Sequence, residues 1–132
     1  MTRIRIVREV PYGVEEAWAR VTDWERHSSG VPLTTITRTR DGFVARTALG
    51  PLGFDDPMDV VDLDPPHRCR LVKRGRIVAG EAEIICAPRP DGGSTVTWVE
   101  DLHVRGVPAF AAPVEAAAAR RLFGSLLDRL LR

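Results

Sequence analysis

At 132 residues the chain has room for one domain, residues 1–132, and no separate regulatory module. Lysine and arginine number 19 against 18 aspartates and glutamates, and a net charge of +1 argues against a nucleic-acid binder, which needs a basic surface to neutralise phosphates. Hydrophobic residues make up 44% and aromatics only 6%, so the core must be built mainly from aliphatic side chains and alanine.

The N-terminus MTRIRIVREV alternates charged and apolar residues, which is unlike a signal peptide. No run approaches the roughly 18 apolar residues of a membrane span, so a cytoplasmic protein is expected. Within this segment Ile4, Ile6 and Val10 fall on one face at period two, predicting a first strand that Pro11, Tyr12 and Gly13 end. Val14, Ala17, Trp18 and Val21 have the spacing of a short amphipathic helix. Asp23 is placed to cap a second short helix through Trp24, Glu25 and Arg26, ended by Gly30 and Pro32.

From Leu33 to Arg105 short β-type runs alternate with turn residues, which predicts an antiparallel meander. Asp41-Gly42 suits a two-residue hairpin turn between Thr34–Arg40 and Phe43–Leu49, because a type I′ turn needs positive φ at both central positions. Further breaks fall at Gly50-Pro51, Asp64-Pro65-Pro66, Gly75 and Pro90-Asp91-Gly92-Gly93. Asp55, Asp56, Asp59, Asp62 and Asp64 precede the double proline, and Arg68, Arg70, Lys73, Arg74 and Arg76 follow it. Folded back, these strands are expected to pair opposite charges on a solvated face. Beyond Gly106 a long helix is predicted: Val114, Ala118, Leu122, Leu126 and Leu130 recur at i+4, flanked by Ala119, Phe123, Leu127 and Leu131.

Strand, two short helices, a meander and a long C-terminal helix is the element order of the helix-grip fold. Val10-Pro11, Val14-Glu15-Glu16-Ala17-Trp18, Val21-Thr22-Asp23-Trp24, Val31-Pro32, Leu63-Asp64-Pro65-Pro66 and Ser94-Thr95-Val96-Thr97-Trp98 together resemble the START-like, or SRPBCC, superfamily in its bacterial polyketide cyclase/dehydrase-like branch. The resemblance spans essentially the whole chain. It implies an α+β fold in which a curved antiparallel sheet of about seven strands surrounds the final helix, with an elongated cavity between them. Its members include lipid and sterol carriers, plant hormone receptors, aromatic polyketide cyclases and chaperone-ATPase activators, so the fold alone does not choose a function.

Alternation in the last strand sets Val96, Trp98, Glu100, Leu102 and Val104 on one face, with Glu100 pointing into the cavity if that face is the concave one. A carboxylate in apolar surroundings must be paired or protonated, the mark of an acid/base or ligand-anchoring group; pairing with an arginine such as Arg46 is the structural alternative. Gly80 and Ala82 leave volume beside the helix, Cys69, Leu71, Met58 and Val60 face inward, and Asp56 shares the parity of Met58. Alanines early in the final helix place the expected cavity toward its N-terminal half, although close packing of helix on sheet would use the same alanines. The expected ligand-binding residues are Trp24, Met58, Gly80, Ala82, Trp98, Glu100, Phe110 and Val114.

His27, His67 and His103 lie on different elements without HExxH spacing, and neither a calcium loop nor a phosphate-binding loop is present, so no metal and no cofactor are expected. Cys69 and Cys86 read as buried free thiols, and no Ser/His/Asp or Cys/His arrangement suggests a nucleophile. The first functional reading is a carrier or sensor for a small apolar molecule such as a lipid, isoprenoid or aromatic polyketide, oriented by Glu100. The alternatives are a polyketide cyclase or dehydratase using Glu100 as its acid/base group, and, more weakly, a protein-interaction module. A homodimer is left open.

Overall fold

A computed structural model describes residues 2–23, 26, 34–38, 42–49, 52–75 and 78–132, with backbone alone for residues 2, 34–38, 43, 45–49, 52–56 and 78. The elements in chain order are β1 (Thr2–Val10), α1 (Val14–Val21), β2 (Thr34–Arg38), β3 (Gly42–Leu49), β4 (Leu52–Asp64), β5 (Arg68–Arg74), β6 (Val78–Pro88), β7 (Ser94–Val104), a 3-10 turn at Ala109–Ala111 and α2 (Ala112–Leu130). The strands form one sheet in the order β1-β7-β6-β5-β4-β3-β2, and each neighbouring pair is antiparallel. The second short helix expected near Trp24 lies outside the described residues.

Period-two burial decides which face of the sheet points inward. Ile4, Ile6 and Val10 on β1, Cys69 and Leu71 on β5, Ala82, Ile84 and Cys86 on β6, and Val96, Trp98 and Leu102 on β7 are all buried. They pack with Val14, Ala17 and Val21 of α1 and Leu126, Leu127 and Leu130 of α2 into one core. The opposite face carries charge pairs across the β4–β5 hairpin: Asp62–Arg70 at 2.8 Å and Asp59–Arg74 at 2.6 Å. Arg68 turns instead to Glu83 on β6, at 3.2 Å.

Two expectations are corrected here. Phe43 pairs with Arg38, not with Arg40 as a two-residue Asp41-Gly42 turn would require. The close approach of β4 gives Gly42 another reason to be glycine, since a Cβ there would collide with the carbonyl oxygen of Met58.

The second correction concerns the face of α2. Val114 is 73% exposed and Leu122 37% exposed, and Phe110, in the turn before the helix, is 87% exposed. At 100° per residue, the sixteen residues from Val114 to Leu130 rotate the side chain to about 160° away, so a strict i+4 row cannot keep one face. The buried line runs through Ala119, Leu126, Leu127 and Leu130, with Ala116 and Phe123 partly buried beside it. Phe110 and Val114 therefore do not line the interior, and the apolar cavity expected around them at the start of the helix is not where the inward-facing residues converge.

The far end of α2 is fastened by polar contacts to the elements that precede the meander. Arg8 of β1 holds Asp128 at 2.7 Å. The Tyr12 hydroxyl donates to the carbonyl of Leu131 at 2.6 Å, and Arg20 donates to the same oxygen at 3.2 Å while stacking over the Tyr12 ring. These donors satisfy a terminal carbonyl that the helix cannot satisfy itself. Burial pushes the Tyr12 phenol up from its ordinary value, against the lowering influence of Arg20.

Candidate functional site

The inward face of β7, the strand next to β1 at one edge of the sheet, carries Glu100 with its side chain 0% exposed, as the alternation through Trp98 and Leu102 requires. Its Oε2 accepts a 2.7 Å hydrogen bond from the Trp98 indole N–H. Its Oε1 faces the ammonium of Lys73, whose side chain is 5% exposed. That contact is an ion pair rather than a hydrogen bond of regular geometry. The Lys73 Nζ also lies 4.9 Å from the centre of the Phe123 ring on α2, and the Phe123 and Trp98 rings are 5.8 Å apart. A carboxylate, an ammonium and two aromatic rings thus meet where the sheet faces the middle of α2.

Lys73, expected on the solvated charge face, is instead buried on the inner one. Cys69 and Leu71 point inward, so the same period-two count along β5 places Lys73 inward with them. The signal was present, but the run of basic neighbours concealed it. Glu100 pairs with this lysine; the side chain of Arg46, the arginine offered as an alternative partner, lies outside the described residues.

The small residues of β6 explain how the pair forms. Gly80 is opposite Lys73 on one side and Leu102 on the other, and Ala82 is opposite Leu71 and Glu100. Lys73 and Glu100 therefore reach toward each other across the one strand that offers no bulky side chain between them. Gly80 has a further constraint: its φ is +135°, and a Cβ would run into the backbone carbonyl of Asp101. Free volume beside the helix was the expected reason for this glycine, and the close approach of two backbones is the observed one.

Of the other expected site residues, Trp98 and Ala82 are buried in this face and Met58 is partly buried against the core. Trp24 and the side chain of Asp56 lie outside the described residues. Among the described residues no group of three His, Cys, Asp or Glu is arranged to hold a metal ion, and no helix is long and apolar enough to cross a membrane.

The two cysteines are free and buried. Burial pushes the Cys69 thiol up to about 12, with Cys86 and Glu83 adding to the effect, and the Cys86 thiol up to about 11. Neither is suited to nucleophilic chemistry, because the thiolate is the reactive form. Each thiol keeps its proton longer when folded than when unfolded, so stability is full below pH 9, the ordinary value, and falls as pH rises from there through 11. Iodoacetamide at pH 8 is expected to label neither cysteine until denaturant is added. Denaturant midpoints measured from pH 8 to 10.5 should fall less steeply in a Cys69→Ala/Cys86→Ala variant than in the parent; equal slopes would count against the thiols.

An antiparallel sheet whose inner face packs against a C-terminal helix is the helix-grip arrangement expected from the sequence. Residues 1–132 match the profile of the family described as "Polyketide cyclase / dehydrase and lipid transport", and the chain belongs to that family. Similar solved structures include a conserved protein from Geobacillus kaustophilus, 21% identical with a TM-score of 0.83 over 98% of this chain and 92% of that one. A START superfamily protein from Mycobacterium smegmatis is 15% identical with a TM-score of 0.72, over 98% and 97% of the two chains. A protein from Rhizobium loti is 18% identical with a TM-score of 0.72, over 96% and 95%. At such identities the likeness establishes the fold alone. No curated protein matches the chain.

Proposed function

We propose that this protein binds a small hydrophobic molecule between the inner face of the sheet and α2, as a carrier or sensor, with Lys73 and Glu100 as the polar element of the site. Family membership supports hydrophobic ligand binding in general. The observation that carries the specific reading is the buried Lys73–Glu100 pair among Trp98, Phe123 and aliphatic side chains. Removing two charges from water costs several kcal/mol each, and an apolar pair of similar volume often serves stability as well. A site for an apolar guest has a use for them, because a few convergent polar groups fix orientation while apolar burial supplies affinity at about 25 cal/mol per Å².

A cyclase or dehydratase is the second reading, favoured by the same pair. An ammonium can polarise a carbonyl while a neighbouring carboxylate accepts a proton from the adjacent carbon. The binding reading is preferred because the described residues bring only this one acid–base pair to the face. Its test is a titration of the labelled protein with 2-acetylnaphthalene, a neutral apolar probe, followed at the Trp98 indole N–H resonance, which should shift saturably.

A further inference from the structure

Resting on that binding reading, we infer that the ligand is uncharged and carries a hydrogen-bond-accepting carbonyl or hydroxyl at the end that enters the site, so that ionised carboxylates are rejected. A lysine ammonium has three N–H donors and no acceptor. The one oxygen that Lys73 meets among the described residues is Glu100 Oε1, and its other neighbour is the Phe123 ring face. A side chain this buried ordinarily has its donors matched by oxygens, because leaving a donor unmatched away from water is costly, the more so when it is charged. Lys73 thus presents donor capacity on the side of the sheet that faces α2. Glu100 Oε1, which accepts no regular hydrogen bond, is the acceptor beside it.

Charge then selects among molecules that supply such an oxygen. Lys73 and Glu100 sum to zero, and the Trp98 indole adds a neutral donor already committed to Glu100. An ionised carboxylate brought to Lys73 would face Glu100 as a like charge in a water-poor setting, and the cluster would carry an uncompensated negative charge. A ketone, aldehyde or ester accepts from the ammonium without changing the total. A hydroxyl does the same and returns its own proton to Glu100 Oε1. Phe123 covers the ammonium yet is only half-buried, so movement of this one side chain uncovers the donors without displacing the core leucines of α2. The selected class is therefore a neutral, mostly apolar molecule with a carbonyl or hydroxyl head, as distinct from a free fatty acid or another organic anion.

The test uses three probes of nearly one shape: 2-ethylnaphthalene, 2-acetylnaphthalene and 2-naphthoate, titrated calorimetrically into the full chain at pH 7. The acetyl compound is expected to bind roughly tenfold more tightly than the ethyl compound, a hydrogen bond to a charged donor, with naphthoate the weakest of the three. In Glu100→Gln, which leaves the Lys73 charge unopposed, naphthoate should become the tightest. In Lys73→Met/Glu100→Gln, which keeps the site neutral and covers the case of a poorly folded single variant, the advantage of the acetyl compound over the ethyl compound should disappear. Equal affinities of the ethyl and acetyl probes for the parent, or naphthoate binding it most tightly, would overturn the inference while leaving a hydrophobic site in place. Failure of all three to bind would overturn the binding reading itself, and the inference with it.

Discussion

Lys73→Met and Glu100→Gln should each destabilise the protein by roughly 3–5 kcal/mol, and the double variant should be more stable than either single one. Each single change leaves an ion buried on the inner face of the sheet without its counter-charge. Lys73→Met abandons the carboxylate; Glu100→Gln abandons the ammonium. The double change removes both charges, and the glutamine retains an oxygen for the Trp98 indole, whose 2.7 Å hydrogen bond is otherwise lost. Denaturant unfolding of the four proteins at pH 7 closes the thermodynamic cycle. Additive losses would mean that the two side chains do not interact in the folded protein, and the site as described would be wrong.

Gly80→Ala carries the second large expected effect, a loss of about 3–5 kcal/mol, from a backbone forced into a region alanine avoids and from a methyl group driven into a neighbouring strand. The atom it meets is the Asp101 carbonyl oxygen, which is part of the β6–β7 ladder and cannot move aside as a flexible side chain can. Gly92→Ala is the internal control. Gly92 also has a positive φ, +89°, but a Cβ there meets nothing within 4 Å, so about 1 kcal/mol is expected. For a chain of this length 1 kcal/mol corresponds to about 4 °C in Tm, and the two variants should separate clearly by calorimetry. Equal shifts would show that the backbone contact at Gly80 is not tight.

Each feature is legible in the sequence to the extent that the physical signal behind it is local. Strand faces follow from period two: alternation puts Trp98 and Glu100 on one face of β7, and the packing of the sheet makes that face the buried one. Lys73 obeys the same rule, but it sits among five basic residues in nine, a composition typical of an outer face, and parity rather than composition decides its side. The face of α2 departs from the i+4 row because such a row drifts by about 40° per step, harmless over two turns and decisive over four. That drift is what sends Val114 and Leu122 outward and leaves Ala119 and Leu127 inside. Gly80 was recognised as significant for its missing side chain, yet the approach of the Asp101 carbonyl is a tertiary fact with no local signature. The Phe43–Arg38 register likewise depends on how the strands pair, beyond what a favourable turn dipeptide specifies.

The proposed site makes Lys73 and Glu100 more than a structural pair, and a heteronuclear NMR titration with 2-acetylnaphthalene tests that most directly. The account predicts a saturable shift of the Trp98 indole N–H, together with backbone amides of β5, β6 and β7 near Lys73, Ala82 and Glu100. Saturable binding that leaves the Trp98 indole and those amides unmoved, with shifts confined to the exposed face around Phe110 and Val114, would contradict it.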